Sequence, residues 1–250
     1  MLILLGRNLF IMLRSNEFTT YNNSQVIDEG LRNYMLKIYN YMAGGLLATA
    51  AAAYLIITNP SLFRLFFNEM GYTGFGYLAL FAPLILIFSF GWVVNRGTTQ
   101  QVQMMFWGYS TLMGVSLAPI FLVYTGASIA RVFLITSATF GALSLYGYTT
   151  KKDLSGWGSF LIMGVIGLII ASIVNIFMKS SGLDYALSYL TVFIFAGLTA
   201  YDTQTLKSLY YANGMHTDAQ TKGAIAGALS LYLDFINMFM ALLRLLGDRR

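Results

Sequence analysis

The sequence predicts an all-α integral membrane protein, a bundle of seven transmembrane helices. Three observations carry that prediction. Charged residues fill only 10% of the chain and hydrophobic ones 57%, where soluble domains carry about 25% charged residues. The apolar residues come in uninterrupted runs of roughly 20, the length a helix needs to cross a bilayer. They do not alternate at period two, which excludes a transmembrane β-barrel.

Each element follows from its local sequence. Residues 1–30 read as a flexible polar N-terminal tail, and 31–250 as the seven-helix transmembrane domain. Within the tail, Met1 to Leu13 is apolar but too short to span. It lacks the basic start and small-residue cleavage site of a signal peptide, and reads as an interfacial segment or an over-extended start. The first span is expected over about 36–58, stopped by Asn59-Pro60. Its Gly44, Ala48 and Ala52 form a small-residue ridge suited to close helix contact. The second covers about 76–94 and contains Pro83, an expected kink. The third, about 104–124, has a second ridge at Ser110, Gly114 and Ala118, with Pro119 late in the span. The fourth (about 128–148) ends before the hydrophilic break Lys151-Lys152-Asp153, and the fifth covers about 158–178. The sixth spans about 185–201 with a polar extension, and the seventh runs from Gly223 to Leu246.

The net charge of +5 does not indicate nucleic acid, because the basic residues sit at termini and short connections, where they set topology. Placing Arg7, Arg14, Arg32, Lys37, Arg96, Lys151, Lys152, Lys207 and Lys222 inside puts the N-terminus in the cytoplasm. The opposing set is smaller: Arg64, Arg131, Lys179, Arg244, Arg249 and Arg250. With no cysteine, disulfides and thiolate chemistry are absent. The single histidine, His216, reads as a solvated loop residue. Gly71, Gly74 and Gly76 lack the strand and helix context of a nucleotide loop. Protease and hydrolase motifs are missing, so no enzyme and no cofactor is expected.

The seventh span carries the most information. Gly223, Gly227, Ser230, Asp234 and Asn237 step by four, three, four and three, which places them on one helical face. Hydrocarbon offers Asp234 no partner, so that face should meet other protein. An ionised Asp at mid-bilayer costs about 2.5–3.5 kcal/mol on insertion scales. Asp202 is the other acid in or against a span, and it reads equally as a helix-end residue or a buried group. Two carboxylates within hydrogen-bond reach would share a proton and titrate as a unit. Arg96, ending the second span, is a cation available to either acid or an ordinary positive-inside anchor.

Two segments, Phe195-Ala-Gly-Leu-Thr-Ala-Tyr-Asp-Thr-Gln204 and Leu229-Ser-Leu-Tyr-Leu-Asp-Phe-Ile-Asn237, resemble the signature segments of the Bax inhibitor-1 family, in a bacterial-type member. Gly30-Leu-Arg-Asn-Tyr-Met35, Tyr39-Asn-Tyr-Met-Ala43 and Lys151-Lys-Asp-Leu154 match as well. The resemblance extends over about residues 28–247. It implies that the C-terminal helix is central, wrapped by the other six. It also implies that the acids matching Asp202 and Asp234 form a proton-sharing pair gating a calcium leak, and that Arg96 matches an arginine able to pair with the sixth-helix acid. The acidic residue that some members carry in the second span is absent here.

The resulting expectation is a multi-pass protein of the cell inner membrane that passes calcium as a permeant ion in a pH-sensitive way. Asp202, Asp234, Ser230 and Asn237 are the ion-path candidates, with a transient calcium site at Asp202 and Asp234. The alternative is a non-conducting regulator that binds a membrane protease or another membrane protein. A third reading, a proton-coupled solute transporter, would need a larger central cavity.

Overall fold

The first span ends where the sequence places a helix stop, and the chain then turns on itself. Asn59 accepts from the backbone N–H groups of Ser61 and Leu62 and so caps the short helix that follows. The computed structural model describes residues 2–69, 71–212 and 217–250, with side chains at 29–69, 71–211 and 218–250. His216 and nearly all of the expected tail over 1–30 lie outside the residues with described side chains.

The elements in order are α1 (Leu2–Thr58), α2 (Pro60–Phe66), β1 (Phe67–Asn68), β2 (Gly71–Tyr72), α3 (Gly74–Arg96), α4 (Thr99–Leu117), α5 (Ile120–Val123), α6 (Gly126–Thr149), α7 (Ser155–Met178), α8 (Ser181–Ala212) and α9 (Thr217–Leu246). The strands pair antiparallel, Phe67 with Tyr72 and Asn68 with Gly71. Among the described residues seven helices are long and apolar enough to cross a membrane: Glu29–Thr58 within α1, α3, Thr99–Val123 across α4 and α5, α6, α7, Ser181–Tyr211 and Asp218–Leu246. The protein is an all-α, multi-pass membrane protein.

Helix α9 is the centre of the bundle. Of its apolar window 67% is buried, against 11–33% for the other six spans. It packs against α8, α1, α6, α4 and α3. Its Leu231, Tyr232, Met238 and Leu243 are fully enclosed.

Small residues set the helix spacing, as close packing in membranes requires. The ridges expected in the first and third spans meet each other. Gly114 lies against Thr49 and Ala52 of α1, and the Thr49 hydroxyl donates to the Ser110 carbonyl at 2.8 Å. Gly147 of α6 rests on the backbone of Ala200 in α8, and Gly227 of α9 on the side chain of Leu206. A Cβ at Gly147 would meet backbone and force α6 from α8, whereas one at Gly227 would displace the end of the Leu206 side chain.

The three prolines act differently. Pro60 starts α2. Pro119 separates α4 from α5. Helix α3 runs on through Pro83, and the lost N–H should strand the carbonyl four residues earlier. That carbonyl belongs to Ala79, and the Ser116 hydroxyl of α4 donates to it at 2.8 Å. An unmet acceptor in hydrocarbon is thus answered by the neighbouring helix.

The loop after α6 and the C-terminus are tied down too. At one end of the bundle Gln204 clamps the break after α6, accepting from Leu154 N–H at 2.8 Å and donating to the Lys152 carbonyl at 2.8 Å. At the other, Arg250 N–H donates to Val123 O at 2.9 Å and Asp248 N–H to Ser128 Oγ at 2.8 Å.

Candidate functional site: a cavity ending at two acids

The sixth helix does not stop at Tyr201. Helix α8 continues to Ala212, so Asp202 lies well inside it rather than at its end. The polar run after Tyr201 stays helical, and its hydroxyls are satisfied by carbonyls one turn back. Thr203 donates to the Thr199 carbonyl and Thr205 to that of Tyr201. Asp202 is half-buried and accepts a hydrogen bond from the Ser230 hydroxyl.

Helix register explains this pairing. Helices α8 and α9 run antiparallel and touch where Leu206 lies over Gly227. One turn back along α8 is Asp202, and nearly one turn forward along α9 is Ser230. Asp234 lies four residues further, about 6 Å deeper along the axis. The structure therefore joins Asp202 to Ser230 and not, by a direct hydrogen bond, to Asp234. The expected carboxylate contact is replaced by a stack of Asp202, Ser230 and Asp234.

Asp234 is 4% exposed, and its Oδ2 is buried without a hydrogen-bond partner. Asp202 lies within electrostatic reach of it. On the side of α9 that meets α6, aromatic rings pack together. Phe235 packs edge-on to Phe133 and Phe140, and Phe239 to Phe133. Asn237 does not join the acids. Its amide donates to the Leu233 carbonyl of its own helix at 2.8 Å.

Above the acids lies an open cavity of about 640 Å³, bounded by α3, α8 and α9. Asp202 and Ser230 form its floor, and Asn95, Asp218 and Lys222 its mouth. It opens at the end of the bundle that also holds Arg96 and the loop 150–154. Arg96 does not line it. That side chain is exposed at the last turn of α3 and forms no ion pair among the described residues, while Val94 and Asn95 face inward.

The cation of the cavity is Lys222, 3.2 Å from Asp218. Both were missed because the span was read as starting at Gly223, whereas α9 begins at Thr217. The signal was available: Asp218 and Lys222 are an i, i+4 pair of opposite charge just ahead of the apolar run. The Thr99 hydroxyl also bonds to Asp218, fastening the start of α4 to the start of α9.

A polar relay runs along another face of α8. Tyr39 OH meets Ser144 Oγ at 2.7 Å, and Ser144 meets Thr203 Oγ1 at 2.9 Å, next in sequence to Asp202. Among the described residues no three His, Cys, Asp or Glu side chains cluster.

Six apolar helices around a central one, with two acids stacked at the foot of an open cavity, define a membrane protein built around carboxylates within its bundle. A family model described as "Inhibitor of apoptosis-promoting Bax1" matches residues 31–250, and the chain belongs to the Bax inhibitor-1 family. It is 50% identical over 232 residues to protein RP147 of Rickettsia prowazekii (strain Madrid E), covering 93% of this chain and 96% of the relative. It is 44% identical over 223 residues to inner membrane protein YbhL of Escherichia coli (strain K12), covering 88% and 94%. A membrane protein of Streptococcus pyogenes serotype M6 is 36% identical over 236 residues, covering 93% and 98%. Bacterial relatives thus match along nearly their whole length.

Proposed function

We propose that the protein is a calcium leak of the bacterial inner membrane, closed in this conformation and gated by protonation of Asp202 and Asp234. The observation that carries the reading is the open cavity that ends on Asp202 with a second, unpartnered carboxyl one turn beneath it. Such a funnel of oxygen ligands suits a hard cation, and the packed core one turn beyond Asp234, where Met238 is fully enclosed, is the closed gate. The name of the YbhL relative supports the inner membrane, and the distribution of Lys and Arg supports a cytoplasmic N-terminus and cavity mouth.

Protons on the acids keep the stack neutral and the helices together. Losing them places two negative charges one turn apart in a low-dielectric core, where like charges repel strongly. That repulsion separates α8 from α9 and gives the cation a charged path. Lys222, at the mouth, slows cation entry and is displaced as the cavity widens.

Calcium flux into proteoliposomes of purified protein, followed across pH, tests this reading. Flux should rise with pH, and Asp202→Asn and Asp234→Asn should each flatten the pH response. Flux that is absent in the pure protein, or keeps its pH dependence in both variants, would overturn it. The first of these outcomes would favour a non-conducting regulator of another membrane protein.

A further inference from the structure

Helices α1 and α6 leave a groove between them on the lipid-facing surface, away from the acid cavity. It holds two connected hollows of about 620 and 880 Å³ that share Tyr39 and Phe140. We propose that this groove is a binding site for one anionic phospholipid, with the phosphate at Arg32 and an acyl chain running down to Phe235.

The order of groups along the groove is that of a phospholipid. At its mouth stand Arg32 and Tyr148. Arg32 is exposed and forms no ion pair among the described residues. Lys207 lies beside Tyr148, its ammonium 3.1 Å from the Tyr148 carbonyl and over the Tyr148 ring. Lys151 and Lys152 follow α6 within one turn. The described acids at this end are Glu29, Asp153 and Asp218, the last engaged by Lys222 and Thr99 at the acid cavity, so the mouth of the groove is net positive. Basic pockets between transmembrane helices are suited to anionic head groups.

Seven residues deeper on α1, about 10 Å along the axis, come the hydroxyls of Tyr39 and Ser144, at the depth of ester carbonyls. Below them the walls are Leu46, Phe133 and Leu134, and Phe235 is reached at the back. From Arg32 to Leu46 is about 21 Å, enough for a head group and the upper part of a chain. A lipid seated here would touch the central helix at the residue after Asp234, and meet the Tyr39–Ser144–Thr203 relay beside Asp202. Ordinary annular lipid would need neither an arginine without an ion pair among the described residues nor the part-buried hydroxyls.

Native mass spectrometry of the intact protein, released from detergent with phosphatidylglycerol or phosphatidylcholine, tests the proposal. The wild type should retain one phosphatidylglycerol in preference to phosphatidylcholine. Arg32→Gln should weaken that retention about fivefold, the effect of one basic residue at an anionic lipid. Ala43→Trp, which fills the groove wall, should abolish it, and Arg64→Gln, on a different helix, should leave it unchanged. Equal retention of the two lipids, a preference undiminished in Arg32→Gln, or one that survives in Ala43→Trp, would overturn the proposal and leave annular lipid only.

Discussion

Replacing Asp234 with leucine separates two roles for the central acid, an element of a gate or a pin that holds the helix in place. Leucine has the same branching as aspartate, so the substitution removes the charge and the hydrogen-bonding atoms while keeping the outline. Asp234 is 4% exposed and its Oδ2 has no partner. A buried polar atom left unsatisfied costs about 1–3 kcal/mol, and an apolar group of the same shape in its place is neutral or stabilising. Methyl groups are larger than oxygens, and crowding in a packed core opposes the gain by about 1 kcal/mol. The balance is a gain of roughly 0–2 kcal/mol, or up to about 8 °C at 2–4 °C per kcal/mol for a chain of this size. Thermal unfolding of the purified protein in detergent, followed by tryptophan fluorescence, measures it. Phe235→Ala in the same assay should instead lower the midpoint, since a buried ring is worth about 3–5 kcal/mol. A fall of more than about 4 °C in Asp234→Leu would refute the reasoning. It would mean that the carboxyl holds the bundle together through a partner, and that its burial is structural.

Two further outcomes follow from particular contacts. Ser116→Ala should cost about 0.6 kcal/mol, and up to roughly 1.7, by leaving the Ala79 carbonyl unmet. In a Pro83→Ala background the cost should shrink, because residue 83 then donates to the same carbonyl. Equal costs in a double-mutant cycle of unfolding stabilities would contradict that account. Asp153 accepts from Ser155 N–H at 2.9 Å, and hydrogen bonds from the Ser155 side chain and then its backbone hold its carboxyl below the usual range. Its folded value lies below its unfolded one, so this fastening is present above the ordinary carboxylate range and is lost as pH falls through the lowered value. Amide exchange at the start of α7, corrected for intrinsic rates, should therefore quicken as pH falls below the ordinary carboxylate range in the wild type and not in Asp153→Ala.

Much of the architecture was legible in local sequence. Hydropathy is a property of each run, so seven spans, their order and the helix stop at Asn59-Pro60 could be counted before any contact was known. The polar stripe of α9 is a periodicity, and it marked the helix that the structure encloses most fully. Asp234 stood out because a carboxyl within an apolar run has few explanations. Helix ends were less legible. Asp202 was open to reading as a terminal residue, and Lys222 fell one position outside the expected span, because polar residues continue α8 and begin α9 through backbone bonds that hydropathy does not register.

Contacts between helices lay beyond sequence altogether. Which oxygen answers Asp202 depends on the axial offset of α8 against α9, and that offset is set where Leu206 seats on Gly227. A slip of one turn would place Asp202 beside Asp234, and the present register gives it Ser230. Likewise Arg96 and Asn95 are adjacent in sequence but differ by about 100° around α3, and only packing decides which one faces the cavity. Local sequence thus set the number of spans and marked the central helix with its acid. Tertiary packing decided the partners of that acid, because register and rotation arise from the seating of small residues against distant side chains, which no single segment encodes.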